Sequence, residues 1–148
     1  MAGNLDDIDW AIIDELQRDA RLSLSELGRR VNLGSSATTE RVRHLEATGV
    51  ITGYRAVVDL AKVGFPVLAV VRLKYPGNRH QPLRRLLSDR REILECLRTT
   101  GDDCYTLKVA ATSMEHLEAL MDELAGLGST TTSVVYSQTL PYRGPDRP

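Results

Sequence analysis

The chain has 148 residues, a formal net charge of −1, 42% hydrophobic residues and two cysteines, enough for one domain or two small ones, each with a modest core. With no run of about 18 apolar residues and no signal-peptide pattern, a soluble protein of the cytoplasm with no membrane partner is expected. The near-neutral balance excludes wholesale coating of nucleic acid, and His44, His80 and His116 are scattered while Cys96 and Cys104 have seven residues between them, so neither a metal, a cofactor nor a disulfide framework is expected.

Leu5, Ile8, Ile12 and Leu16 recur at helical spacing, with Asp6, Asp7 and Asp9 where the helix dipole favours acids. Trp10 lies off this stripe and is read as an interface residue. Leu24, Leu27 and Val31 mark a second helix of about two turns. Asn32-Leu33-Gly34 then breaks the pattern, with Gly34 free to take a positive φ, and Ser35 or Ser36 is expected to cap a third helix. Turning Val42 and Leu45 inward puts Ser36, Thr39, Glu40 and Arg43 on the opposite side. This is the outline of a helix-turn-helix, whose second helix enters the DNA major groove; a plain solvated helix in a small helical domain is the competing reading. Short hydroxyls suit backbone and base-edge contacts and arginine suits guanine or phosphate, so Ser35, Ser36, Thr39, Arg41 and Arg43 are candidate DNA contacts. Gly49 to Val58 alternates around glycines and is expected to form a β-wing that brings Arg55 to the phosphates. Arg29, Arg30, Arg41, Arg43 and Arg55 against Glu40 and Glu46 make a local balance of +3. One copy would bind DNA weakly on that charge, and two or more copies are expected.

Asp59 to Pro66 reads as a linker. Beyond it come a strand at Val67 to Tyr75, a helix with Leu83, Leu86 and Leu87, strands at Ile93 to Thr99 and Tyr105 to Ala111, a helix at Met114 to Leu124 and a strand at Thr130 to Leu140. The order βαββαβ is the ferredoxin-like unit. The expected class is α+β: a winged helix-turn-helix over residues 1–58, a linker over 59–66, a ferredoxin-like domain over 67–142 and a flexible tail over 143–148. Two helices cover one face of such a sheet, yet Leu68 and Val70 point to the other. A second copy is the simplest cover, giving a homodimer whose paired helices meet a pseudo-palindromic site.

Gly101-Asp102-Asp103-Cys104 and Thr130-Thr131-Thr132 lie at strand ends. A carboxylate pairs with an amino group, and glycine backbone and threonine hydroxyls hold a carboxylate, so an amino-acid site is chemically reasonable. The competing reading is a hairpin turn and a strand rich in β-branched residues.

The leading LDDID, the ERVRHLE at Glu40 to Glu46, the GVITGY at Gly49 to Tyr54, the TGDDCY at Thr100 to Tyr105 and the TTTSVV at Thr130 to Val135 follow the order and spacing of the Lrp/AsnC, or feast/famine, family, and nearly the whole chain resembles it. The resemblance implies a transcription regulator, homodimers that often build octamers, and amino acids as effectors. It assigns Gly101, Asp102, Thr130 and Thr132 to the effector site, with Asp103 and Cys104 beside them. Cys104 stands where many members have an aspartate, and it cannot hold an ammonium group as a carboxylate does. No catalytic residues are identified. The alternatives are an architectural protein that wraps DNA with little sequence preference, separable by competition with unrelated DNA, and a small ferredoxin-like dimeric enzyme, for which no catalytic constellation is present.

Overall fold

A computed structural model describes residues 5–76, 80–102 and 104–147. They divide into two units, residues 5–57 with 140–147 and the residues between 58 and 139, each around its own core.

The first unit holds α1 (Asp7–Arg18), α2 (Leu24–Arg30) and α3 (Ser35–Ala47). Asp6 caps α1 by accepting the N–H groups of Ile8 and Asp9 at 3.0 and 2.8 Å, while the Asp9 carboxylate accepts the Asp6 N–H at 3.2 Å. This reciprocal box satisfies donors that a helix start leaves open. Ser23 caps α2 through the Glu26 N–H. Ile12, Leu27, Val42 and Leu45 form the core, with Leu5, Ile8, Leu16 and Val31 packed round them.

The turn between α2 and α3 departs from expectation in two respects. Gly34 is the N-cap of α3 at φ −66°, and no side chain caps the helix, so Ser35 and Ser36 stand inside its first turn. The positive φ falls on Asn32, at 56°, a residue whose short polar side chain tolerates the left-handed region. The close approach belongs to Gly28, where a Cβ would lie 2.7 Å from both the Leu33 carbonyl oxygen and Thr38 Oγ1. Thr38 is fully buried, and its hydroxyl donates to the Gly34 carbonyl at 2.9 Å.

The expected β-wing is absent as a strand: residues 49–58 have no regular structure. A strand needs a neighbour for its ladder, and no described segment pairs with this one. It is held instead to the end of α3, where the Ile51 N–H donates to the Leu45 carbonyl at 3.0 Å and the Tyr54 hydroxyl to Glu46 Oε1 at 2.9 Å. Residues 143–147, expected as a flexible end, contact α1: Gln17 Nε2 donates to the Pro145 carbonyl at 3.2 Å and Arg147 pairs with Asp7.

The second unit begins with a turn in which the Asp59 carboxylate accepts the Ala61 and Lys62 N–H groups. There follow β1 (Val67–Lys74), α4 (Gln81–Asp89), β2 (Ile93–Arg98), β3 (Tyr105–Ala111), α5 (Met114–Ala125) and β4 (Ser129–Val134), the βαββαβ order expected. The sheet is antiparallel in the order β2-β3-β1-β4. Ala69, Val71, Leu73, Leu107, Val109 and Ala111 face Leu83, Leu117, Leu120 and Leu124, because alternate strand residues share a face and the helical leucines recur at i, i+3 and i+7. β4 ends at Val134, short of the expected Leu140. One last bond runs from the Val135 N–H to the Leu68 carbonyl; β1 begins at Val67, so the sheet offers nothing further to pair. The other face carries Val70 and Leu97, 36% and 52% exposed.

Gly28→Ala is expected to lower the stability of the helical unit by about 1–3 kcal/mol, since a methyl group must displace backbone. Urea denaturation measures this, and an unchanged midpoint would contradict the close α2–α3 contact.

Candidate functional site

α3 presents its exposed side as the sequence pattern requires. Val42, Leu45 and Thr38 are buried, while Ser35, Ser36, Glu40 and Arg43 are exposed and Thr39 is half-buried. The Thr39 hydroxyl donates to the Ser35 carbonyl at 2.8 Å, which leaves its oxygen able to accept. Arg43 takes part in none of the ion pairs among the described residues. It lines an open cleft together with the apolar Leu16, Leu22, Leu24 and Val42 and the polar Glu46 and Tyr54. Burial and the bond to Glu46 raise the Tyr54 hydroxyl to about 12, so at neutral pH it is a phenol donating to the carboxylate.

Arg41 lies elsewhere. One of its guanidinium nitrogens is 2.7 Å from both Asp9 Oδ1 and Asp6 Oδ2, so the residue expected to flank the DNA surface closes the N-terminal box of α1 instead. The periodicity allows both roles; the buried Asp9 carboxylate decides, because a buried charge needs a partner. Arg30 likewise pairs with Glu15 and Glu26, and Arg29 with Glu26. Three of the five arginines behind the expected local charge of +3 are therefore neutralised within the unit. Arg55 is exposed, its guanidinium 5.6 Å from the centre of the Tyr142 ring, a cation–π distance.

In the second unit Gly101, Asp102, Cys104 and Thr130 of the candidate effector residues lie at one end of the sheet. Tyr105 of β3, Leu73 of β1 and Thr130 of β4 lie in one cross-strand row. The turn after β2 and the start of β4 thus project from the same edge, about 10 Å apart across β1. The Thr99 N–H donates to the Cys104 carbonyl at 2.9 Å and closes this turn, with Gly101 at φ 102° and Asp102 exposed. Asp103 lies outside the described residues. Cys104 is half-buried, its Sγ 3.8 Å from the Tyr75 carbonyl oxygen. Thr132 lies two rows further from this edge, opposite Val71, and its hydroxyl donates to Met121 Sδ of α5 at 3.0 Å, so it does not join Gly101 and Asp102 within one chain. Beside the turn is a cluster that sequence reasoning missed: Tyr105 Oη is 2.9 Å from His80 Nδ1, and the Tyr75 ring stands edge-on to Tyr105. Only strand register could have revealed it, since Tyr75 and Tyr105 are thirty positions apart.

Among the described residues, no helix is long and apolar enough to cross a membrane, and no group of three or more histidine, cysteine, aspartate or glutamate residues could hold a metal ion.

A helix-turn-helix unit with a separate βαββαβ unit defines a class of DNA-binding regulators with a ligand-binding domain. Residues 5–46 match the profile of AsnC-type helix-turn-helix domains, and residues 68–145 that of Lrp/AsnC ligand binding domains. The chain belongs to the Lrp/AsnC family of transcriptional regulators. It is 37% identical to the HTH-type transcriptional regulator LrpC of Bacillus subtilis over 134 residues, 90% of this chain and 93% of that one. The solved structure of LrpC superimposes with a TM-score of 0.90 at 36% identity, covering 95% of this chain and 100% of that one. A feast or famine regulatory protein of M. tuberculosis complexed with L-methionine also gives 0.90, at 31% identity over 97% and 99% of the two chains.

The Asp6 carboxyl is held below its usual 3.8 by the Asp9 N–H and by Arg41, and Glu15 below 4.5 chiefly by Arg30. Carboxyls depressed in the folded state contribute stability that is complete above their unfolded values and lost as pH falls through the folded ones. Arg41→Gln should therefore melt at a lower temperature than wild type at pH 7, and the gap should narrow below about pH 4. Circular-dichroism melts across this range test it; a pH-independent gap would show that charge plays no part in the Arg41 contacts.

Proposed function

We propose that this chain acts in the cytoplasm as a homodimer, or an assembly of dimers, that reads operator DNA with Ser35, Ser36, Thr39 and Arg43 and grips phosphate with Arg55. Arg43 carries this reading: an exposed guanidinium that enters none of the ion pairs among the described residues, on the helix side opposite Val42 and Leu45. Arginine is the side chain best matched to guanine edges and phosphate. Arg41, tied to Asp6 and Asp9, supports α3 from behind. The sheet face with Val70 and Leu97 is the surface for a second copy, and pairing it presents two α3 helices to one duplex.

The effector is an amino acid at the sheet edge, with Gly101, Asp102 and Thr130 the contacts from one subunit and Thr132 reached from another. The L-methionine complex of the M. tuberculosis relative supports this class of ligand. Asp102, rather than Cys104, pairs with the ammonium group, because a thiol carries no charge to match it. Ligand that favours one arrangement of dimers shifts which half-sites are engaged together.

With DNA from upstream of the chain's own gene, Arg43→Ala should weaken binding by about 1–3 kcal/mol; unchanged binding in a gel-shift assay removes Arg43 from the interface. Light scattering at micromolar concentration should give a dimer or larger, and a monomer would remove the sheet-pairing claim. L-methionine should raise the melting temperature of wild type and not of Asp102→Asn. A panel of amino acids that leaves wild type unmoved would defeat the effector assignment while leaving DNA binding intact.

A further inference from the structure

The most basic stretch of the chain is not in the helix-turn-helix. Residues 79–91 hold five arginines against one aspartate, a balance of +4 in a chain whose total is −1. Among the described members, Arg90 is committed: Glu123 takes its guanidinium through two oxygens, at 2.5 and 2.8 Å. Arg84, Arg85 and Arg91 are exposed and enter none of the ion pairs of the described residues. Arg84, Arg85 and Arg91 thus hold no acid of the described fold in an ion pair. Their charge is available to an outside polyanion.

The helix that carries Arg84 and Arg85 narrows the choice of polyanion. Leu83 of α4 is 1% exposed, and Leu86 and Leu87 pack against the same core. Its apolar side is thus occupied by the sheet, and no apolar face remains for the headgroup boundary of a membrane, where a basic amphipathic helix must bury one. What this end of the unit offers is guanidinium heads alone, Arg84 and Arg85 on α4 and Arg91 two residues past its last residue, each able to meet a phosphate.

From this we infer that α4 is a second, sequence-independent DNA contact on the effector unit, gripping phosphates of duplex that continues past the segment read by α3. The inference rests on the DNA-binding assignment and adds the partner of a surface outside it. Such a contact strengthens binding to long DNA without adding base readout.

The full-length protein, Arg84→Gln/Arg85→Gln and Arg84→Glu/Arg85→Glu are compared on random-sequence duplexes of about 20 and about 80 base pairs over a series of KCl concentrations. On the long duplex, the slope of log K against log [KCl] should become shallower by about 1.8 in the Gln pair, at about 0.9 for each phosphate that is no longer neutralised. Affinity there should fall about tenfold or more at low salt, and further in the Glu pair, while the short duplex changes less than about twofold. Matching melting temperatures exclude unfolding, since both side chains are exposed. A wild-type slope on the long duplex overturns the inference, and so does equal weakening on both lengths, which would put α4 in the primary interface. Binding to phosphatidylserine vesicles that the Glu pair abolishes, with long DNA unaffected, overturns it in favour of a membrane. Failure of the wild-type protein to hold the long random duplex overturns it as well, while the operator-reading assignment is decided separately by the gel shift with Arg43→Ala.

Discussion

The closeness of α2 to α3 at Gly28 governs what this protein can present to DNA. With no side chain at Gly28, the Leu33 carbonyl and Thr38 Oγ1 come to where a Cβ would stand. Thr38 is thereby buried, and its hydroxyl finds a partner in the Gly34 carbonyl. Burying Thr38 together with Val42 and Leu45 orients α3 about its axis. That orientation leaves Ser35, Ser36, Glu40 and Arg43 outside.

Charge is distributed on a similar logic. Asp9 is almost buried on α1, and the arginine that reaches it comes from α3. The capping box of the first helix and the seating of α3 are therefore one hydrogen-bonded cluster, in which loss of either side leaves a charge without its partner. Glu15 and Glu26 hold Arg30 in the same way. The unit is acidic overall yet can leave single arginines unpaired on its surface, which suits selective contact better than bulk attraction.

The second unit separates support from contact. One sheet face is closed by α4 and α5, and its strands alternate so regularly that the apolar set on that face is complete. The other face, the end where the turn after β2 meets the start of β4, and the outer side of α4 are free of that duty. Antiparallel order places Tyr105, Leu73 and Thr130 in one row, so the buried Leu73 and Tyr105 bring segments from distant parts of the chain to one end of the sheet.

Much of this was legible in the amino-acid order alone. Elements with a strong period, such as Leu5 to Leu16 or Tyr105 to Ala111, could be read because burial of one face imposes that period on the residues themselves. The family motifs marked the turn after β2 and the strand Ser129–Val134. The fate of individual polar groups was not legible. Whether Arg41 faces DNA or Asp9, whether Gly34 or Asn32 takes the left-handed turn, and whether Gly49 to Val58 finds a strand to pair with all depend on atoms remote in sequence. Ion pairs, close backbone approach and ladder hydrogen bonds join residues that share no local pattern. Local propensity therefore determined the elements, and only tertiary packing decided which charges were consumed inside and which were left to meet a partner.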